Sequence, residues 1–467
     1  MDSPSRLATA RNASFSLKRF TLMIKNKKKI KIKIPSGILQ QVMEDLERPH
    51  PFAHERVGFL FSKQVEFEKC IVVLITEYRP VADENYIKDD SVGAMINSTA
   101  IREAMQMVLD NDFGCFHVHS HGHTGVPGPS GVDQRSLPNV VQSFANVKRA
   151  LAHGILILSR DSAYASVKIN GENRFVTPEL MSILGYPMNF ILPKKKKEET
   201  IQMFDRQSFL GENSQSIFKN IQVGIVGYGG GGSHIGLQLA HLGVENVTVF
   251  DEDKVEETNL NRLIGAWYSD IKNATLKTDI AKRIIKKILP KTIVTVINAR
   301  WQDRPDLLQQ CDIIFGGVDT YSGRQQLEAE CRRFLIPYID IGMDVHKLDG
   351  RPPYMSGQVI LSMPGMACMN CLGFLTDKKL AEEGAKYGDV GGRPQVVWAN
   401  GLLASSAIGV FVDLVTGWTG QKDRIVYLSY DGNPGTLIND VRGKFAGLQC
   451  EHYPIKDSGP VKFKRLL

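Results

Sequence analysis

Isoleucines at 30, 32 and 34 alternate with lysines at 31 and 33. A period of two is that of a strand, with successive side chains on opposite faces. One apolar face and one charged face predict an edge strand with a wet side. The period then lengthens. Ile38, Val42 and Leu46 recur every four residues and predict a helix. Apolar runs over 57–61 and 71–76 predict strands. A helix over 99–110, a histidine-bearing strand, a helix after Asp133 and strands over 155–158 and 163–169 follow. This alternation predicts a mixed α/β unit over 20–180, with a linker over 181–202. From 203 to 455 strand and helix periods alternate again, which predicts a parallel sheet with helices on both faces. An apolar helix near 402–415 contains Asp413. It reads as a buried helix of this second unit, too short for a membrane span.

Composition narrows the class. The 467 residues leave room for two or three domains. With 43% hydrophobic and 23% charged residues, no long disordered tract is expected. The net charge of +7 is partly local, in lysine runs at 25–33 and 194–197. No basic run is interleaved with aromatic residues, so no nucleic-acid partner is expected. No N-terminal apolar run suggests a signal peptide, and a cytoplasmic location is the expectation. Seven cysteines do not make a disulfide framework in a chain of this size. Cys70, Cys115, Cys311 and Cys331 read as core residues. Cys368 and Cys371 form a CxxC pair with structural zinc spacing.

The most specific stretch is 223–262. An apolar run at 223–226 leads into Gly227, Gly229 and Gly232. That spacing turns a strand tightly into a helix whose N-terminus can cradle phosphate. A second apolar run ends at Asp251, placed to accept hydrogen bonds from a ribose. Asp253, Asn259, Asn261, Arg262 and Lys277 follow, and Asp319 stands at another strand end. Hydride transfer has no use for carboxylates, arginine and lysine converging on phosphates. Nucleotidyl transfer does, because magnesium takes oxygen ligands and phosphate charge must be neutralised.

These residues resemble the ThiF/MoeB/ubiquitin-activating superfamily, over about 203–450. The resemblance implies a Rossmann-like ThiF-type domain that adenylates the C-terminal glycine of a ubiquitin-like protein, with ATP and Mg2+ as cofactors. It implies that Asp251 binds ribose, Asp253 helps hold magnesium, and Asn261, Arg262 and Lys277 contact phosphates. Asp319 would support the metal or the attacking carboxylate, and Arg206 would reach ATP from the partner protomer of a homodimer. In this family a second CxxC often closes the zinc site. Here Cys450 and His452 occupy that place and would complete it. No cysteine lies in 372–400, so a thioester on this chain is not expected there.

Upstream, histidines stand at 117, 119, 121 and 123, followed by Ser130 and Asp133. Alternation puts their side chains on one face of an extended segment. The pattern suggests a catalytic zinc with three protein ligands, and Glu55 is the best general base. It resembles the JAB/MPN (JAMM) metalloprotease family. That likeness implies zinc on His119, His121 and Asp133, Glu55 as base, and Ser130 steadying the tetrahedral intermediate. Eight residues separate His121 from Ser130, where the family usually has seven, so the pair His121 and His123 stays open.

Together the likenesses imply a bifunctional enzyme of a bacterial ubiquitin-like modification pathway. It would activate such a protein and cleave after its C-terminal glycine, in systems of the kind implicated in phage defence. A conjugating enzyme would be a further partner. The alternative is a sulfur-carrier adenylyltransferase for cofactor or cysteine biosynthesis, with carrier trimming by the upstream half.

Overall fold

The computed structural model describes residues 28–49, 54–89, 93–169, 174–192, 201–346, 350–385, 394–445 and 449–461. Two eight-stranded sheets organise them. The first contains β1 (Lys29–Pro35), β2 (Val57–Glu66), β3 (Cys70–Pro80), β4 (Gly114–Ser120), β5 (His153–Leu158), β6 (Ala163–Lys168), β7 (Leu180–Leu184) and β8 (Asn189–Ile191). Its spatial order is β6-β5-β4-β2-β3-β1-β7-β8. Helices Ser36–Leu46, Ser98–Asn111 and Gly131–Val147 belong to this half. The first buries Ile38, Val42 and Leu46, as their spacing predicts.

Two expectations change here. The linker begins later than 181, because β7 pairs in parallel with β1 and β8 closes the sheet. The lysine run at 194–197 lies outside the described residues. More important, β1 is no edge strand. It lies between β3 and β7, paired in parallel with both. Ile30, Ile32 and Ile34 fill the core of the first half. The lysine face is dry as well: Lys33 is 1% exposed. Its ammonium donates to the Cys311 and Phe334 carbonyls at 3.1 and 3.3 Å. Those carbonyls stand at loop and helix ends in the second half, where backbone acceptors lack helical partners. The lysine stripe is therefore a polar seam between the halves.

The second sheet runs β11 (Ile293–Ile297), β10 (Asn246–Phe250), β9 (Gln222–Val226), β12 (Ile313–Gly316), β13 (Tyr338–His346), β14 (Tyr354–Ser362), β15 (Tyr427–Asp431) and β16 (Thr436–Asn439). The five strands from β11 to β13 are parallel, but β14 to β16 pair antiparallel. The all-parallel expectation thus holds for only part of the sheet. The apolar helix runs Val397–Thr416, 20 residues, which is long enough to cross a membrane by length and composition. In this fold it buries Leu403, Phe411 and Leu414 against the second core. Its Asp413 accepts from the Tyr186 hydroxyl at 2.6 Å. One continuous apolar cluster holds Val72, Leu74, Leu180 and Leu184 of the first sheet together with Phe218, Ile225, Phe411 and Leu414 of the second half.

Candidate active sites

A cavity of about 680 Å³ opens beyond the C-terminal ends of β9, β10 and β12, where open α/β sheets bind ligands. Gly227 leaves β9 with φ +87°, and a Cβ there would meet the Gly317 carbonyl at 2.8 Å. Gly232 approaches closer still: its Cβ would stand 2.0 Å from the Gly227 carbonyl. Gly229 caps the Gly230–Leu242 helix without any side-chain cap. The first-turn N–H groups are thus left for an anion.

Asp251 follows β10. Its Oδ2 accepts from the Tyr228 amide at 2.6 Å and its Oδ1 from the Asp253 amide at 2.9 Å. Burial pushes this carboxyl up, although Lys277 pulls it down. Lys277 opens the Lys277–Ile288 helix and donates to Asp253 Oδ2 at 2.7 Å. Arg262, Asp319 and Gln302 complete the polar wall. Asp253 and Asp319 are the hard oxygen donors that a magnesium ion takes. The oxygen donors and the glycine cradle fit a magnesium–nucleotide pair.

Two predicted residues lie elsewhere. Asn261 is exposed and its amide donates to the Gln395 carbonyl at 3.4 Å. Asn259 takes the place in the cavity wall, because it sits in the turn that aims Arg262 inward. Arg206 is exposed on the Gln202–Leu210 segment and does not line the cavity of its own chain. Several wall residues escaped the sequence reading, among them Gln302 and the buried Arg324. Arg324 is 7% exposed and ion-paired with Asp340 at 2.5 Å. Only its place one turn past Asp319 and Thr320 could have marked it.

The second constellation lies at the end of β4. His119 Nε2 stands 3.2 Å from His121 Nε2, and 3.5 Å from Asp133 Oδ2. His121 Nε2 is 3.7 Å from the same oxygen. Ligand atoms ~2.0–2.2 Å from a tetrahedral zinc lie roughly 3.3–3.6 Å apart, so the three fit one ion. Glu55 reaches the same cluster, its carboxylate within 4.8 Å of both histidines. Gly93 accepts from the Glu55 amide at 2.8 Å, and a Cβ on Gly93 would strike the Glu55 carboxylate. His123 turns away to the Thr124 carbonyl at 2.9 Å. The geometry therefore favours His119 and His121 over the shifted pair. The eight residues between His121 and Ser130 form a largely exposed loop, in which Gly125 takes φ +85°.

Ser130 caps the Gly131–Val147 helix. It accepts from the Asp133 amide while its own amide donates to Asp133 Oδ2 at 2.7 Å. This reciprocal box aims the carboxylate at the histidines. Burial alone would raise the Asp133 carboxyl, but His119 and Ser130 hold it well below the usual range. His117 is no ligand of this cluster. Burial, then His119, lowers it to about 3, so it stays neutral.

A third cluster joins Cys368, Cys371, Cys450 and His452. The two CxxC sulfurs stand 3.5 Å apart, and His452 Nδ1 lies 3.6 and 3.4 Å from them. Zinc–sulfur and zinc–nitrogen bonds of ~2.3 and ~2.0 Å give roughly 3.5–3.8 Å between tetrahedral donors, so the set fits a structural ion. Cys70, Cys115, Cys311 and Cys331 are buried, as their apolar settings predict.

Comparison with known proteins bears on the second half. Molybdopterin-synthase adenylyltransferase of Escherichia coli (strain K12) is 29% identical over 164 residues, 34% of this chain and 61% of that protein. The NEDD8-activating enzyme E1 catalytic subunit of Schizosaccharomyces pombe is 29% identical over 170 residues, 36% of this chain and 37% of that one. The tRNA threonylcarbamoyladenosine dehydratase of Escherichia coli (strain K12) is 31% identical over 137 residues, 28% of this chain and 50% of that one. The chain thus spans between about a third and three-fifths of these relatives. Among solved structures, E. coli MccB with MccA-N7isoASN matches with TM-score 0.45 and 19% identity, over 56% of this chain and 76% of that one. The ThiF family matches residues 204–450, more than half of the chain, and the chain belongs to the ThiF family.

Proposed function

We propose that the second half is an ATP-dependent adenylyltransferase that activates the C-terminal glycine of a ubiquitin-like or sulfur-carrier protein. The observation that carries this reading is the convergence of Gly229, Asp251, Asp253, Arg262, Lys277 and Asp319 on one cavity. The relatives named for molybdopterin-synthase and NEDD8 activation support the substrate class. The glycine turn and the uncapped helix hold the phosphates, and Asp251 holds the ribose. Magnesium would supply charge neutralisation at the phosphates, held by Asp253 and Asp319. Lys277 is kept in place by Asp253 and adds a positive charge, as does Arg262. The substrate carboxylate attacks the α-phosphate, its new bond to phosphorus forms, and pyrophosphate leaves. The product is an acyl-adenylate. ATP–pyrophosphate exchange dependent on an added ubiquitin-like protein tests the reading. Exchange without any protein substrate would assign a small-molecule acceptor instead.

We further propose that the first half is a JAB/MPN-type zinc protease cleaving after a ubiquitin-like C-terminal glycine. The specific observation in its favour is the His119–His121–Asp133 cluster with Glu55 beside it. A zinc ion there would supply a Lewis acid for the scissile carbonyl. Glu55 takes a proton from the attacking water and passes it to the leaving amine. Ser130 orients Asp133, and its hydroxyl proton is left to donate toward a developing oxyanion. The chain then both activates and processes one class of protein tail, as in bacterial modification systems that act against phage. Cleavage of a ubiquitin-like fusion, with loss of that activity in Glu55→Ala, tests this half.

A further inference from the structure

The Tyr321–Arg333 helix carries three buried charges at four-residue spacing, Arg324, Glu328 and Arg332. That spacing sets them along one face. Buried charges are costly unless partnered; Arg324 finds its partner beside the cavity, and Glu328 and Arg332 share Ser362 and the 366–369 segment. Arg324 lines the nucleotide cavity and pairs with Asp340. Glu328 Oε1 accepts from the Met369 amide at 2.8 Å and from the Ser362 hydroxyl. Arg332 donates to the carbonyls of Met366 and Ala367, both at 2.9 Å, and to Ser362 Oγ at 2.9 Å.

Residues 366–369 are the approach to, and part of, the CxxC loop. Just past Cys371 the chain returns to the same helix. Phe374 packs against the Tyr321 ring at 5.8 Å and lies 5.7 Å from the Arg324 guanidinium. Its own amide is tied to the Met369 carbonyl at 2.9 Å. The loop that presents two of the four metal donors therefore grips the helix along its length. The N-terminal end of that helix, with its Thr320 cap and Arg324, is cavity wall.

We propose that this charged stripe makes the nucleotide cavity depend on metal in the Cys368–Cys371–Cys450–His452 cluster, with Glu328 and Arg332 as positioning residues. The inference rests on the reading of the cavity as an ATP site. Metal fixes the loop, and the loop supplies the carbonyls and amide that keep Arg332 and Glu328 paired. A loosened loop leaves two buried charges short of partners, and the helix must shift to hydrate them. Arg324 shifts with it. The dependence is reciprocal: nucleotide must raise metal affinity by the factor that metal raises nucleotide affinity.

The test uses the full chain carrying His121→Ala, so that only the cysteine cluster holds zinc. Zinc affinity is read by chelator competition and nucleotide affinity with a fluorescent ATP analogue, with and without metal. Stripping zinc should weaken nucleotide binding roughly tenfold, within the usual range of coupling between sites. Arg332→Lys should weaken zinc binding roughly tenfold, as loss of an outer partner does, and its nucleotide affinity should no longer respond to metal. Should Arg332→Lys fail to fold, Phe374→Leu keeps both charges paired and is expected to lower the response to metal. Equal nucleotide affinity with and without zinc in a natively folded chain overturns the proposal, as does wild-type zinc affinity in Arg332→Lys. Global unfolding of the stripped chain overturns it too, because zinc would then support the whole fold rather than the cavity. Failure of the zinc-loaded chain to bind nucleotide refutes the ATP reading instead, and the zinc affinity of Arg332→Lys still judges the stripe.

Discussion

Lys31 of the first sheet stands 2.7 Å from Asp312 Oδ2 of the second half, a carboxylate whose side chain is 1% exposed. The same oxygen accepts from the Gln222 amide at 2.8 Å, at the start of the strand that leads to the glycine turn. Asp312→Ala strips Lys31 and buried Lys33 of their shared counter-charge. The expected cost is about 3–5 kcal/mol in urea unfolding, the range for breaking a buried pair. The two halves should unfold in one transition. Separate transitions with unchanged midpoints would refute a shared seam.

Burial lowers the Lys33 ammonium from 10.5 to about 8, against the pull of Asp312. Between those values the unfolded chain holds a proton that the folded chain has released. Stability from this group therefore rises with pH across roughly 8 to 10.5 and is flat below 8. The gain of wild type over Lys33→Met should grow across that window. A gap that stays constant or shrinks from pH 8 to 10 contradicts the assignment.

Adenylation should fail in Asp253→Ala and in Arg262→Ala. Each removes a group that acts on the phosphates, and such losses cost ~10²–10³ in rate. Pyrophosphate exchange measures it, with circular dichroism to verify folding. Full exchange in both variants would end the nucleotidyl-transfer reading.

Arg206 is exposed and does not line its own chain's cavity; the ThiF-family likeness predicts that it acts in the partner of a two-fold dimer. Arg206→Ala and Asp253→Ala should each be inactive alone. Mixed one to one, they should regain about a quarter of wild-type exchange, because random pairing in a two-fold dimer leaves that share of sites whole. No recovery on mixing, or a monomer by light scattering that still adenylates, removes the trans role.

Zinc counted per chain should be two in wild type. His119→Ala should hold one, and His123→Ala should keep two, because the His123 ring bonds the Thr124 carbonyl instead. Glu55→Ala should keep both ions and lose cleavage. Loss of zinc from His123→Ala but not from His119→Ala would show the shifted ligand pair.

Positions that follow from local pattern were legible in the sequence. The glycine turn, Asp251 and Asp319 stand at strand ends that periodicity located, whereas Lys277 was placed only on a helical stretch and entered the site through the family resemblance. Lys31 and Lys33 were misread because alternation says that two faces differ, not what covers the second. The covering groups are carbonyls some 280 residues away, and no local pattern announces them. Arg324 and its Asp340 partner were missed for the same reason: a buried ion pair looks like two surface charges until the fold joins them. Asn259 and Asn261 illustrate the limit of a motif, which names a turn but not which of its two asparagines points inward.

The lysine seam fixes how this chain can be divided. A cut within 193–200 would separate the two sheets on paper. It would also bare Val72, Leu74, Leu180 and Leu184 on one piece and leave Lys33 without the carbonyls that solvate it. Each fragment would be sticky and mispaired rather than autonomous. The fold of each half is consequently completed by the other, and whatever chemistry one site performs is carried by packing that the neighbouring half supplies.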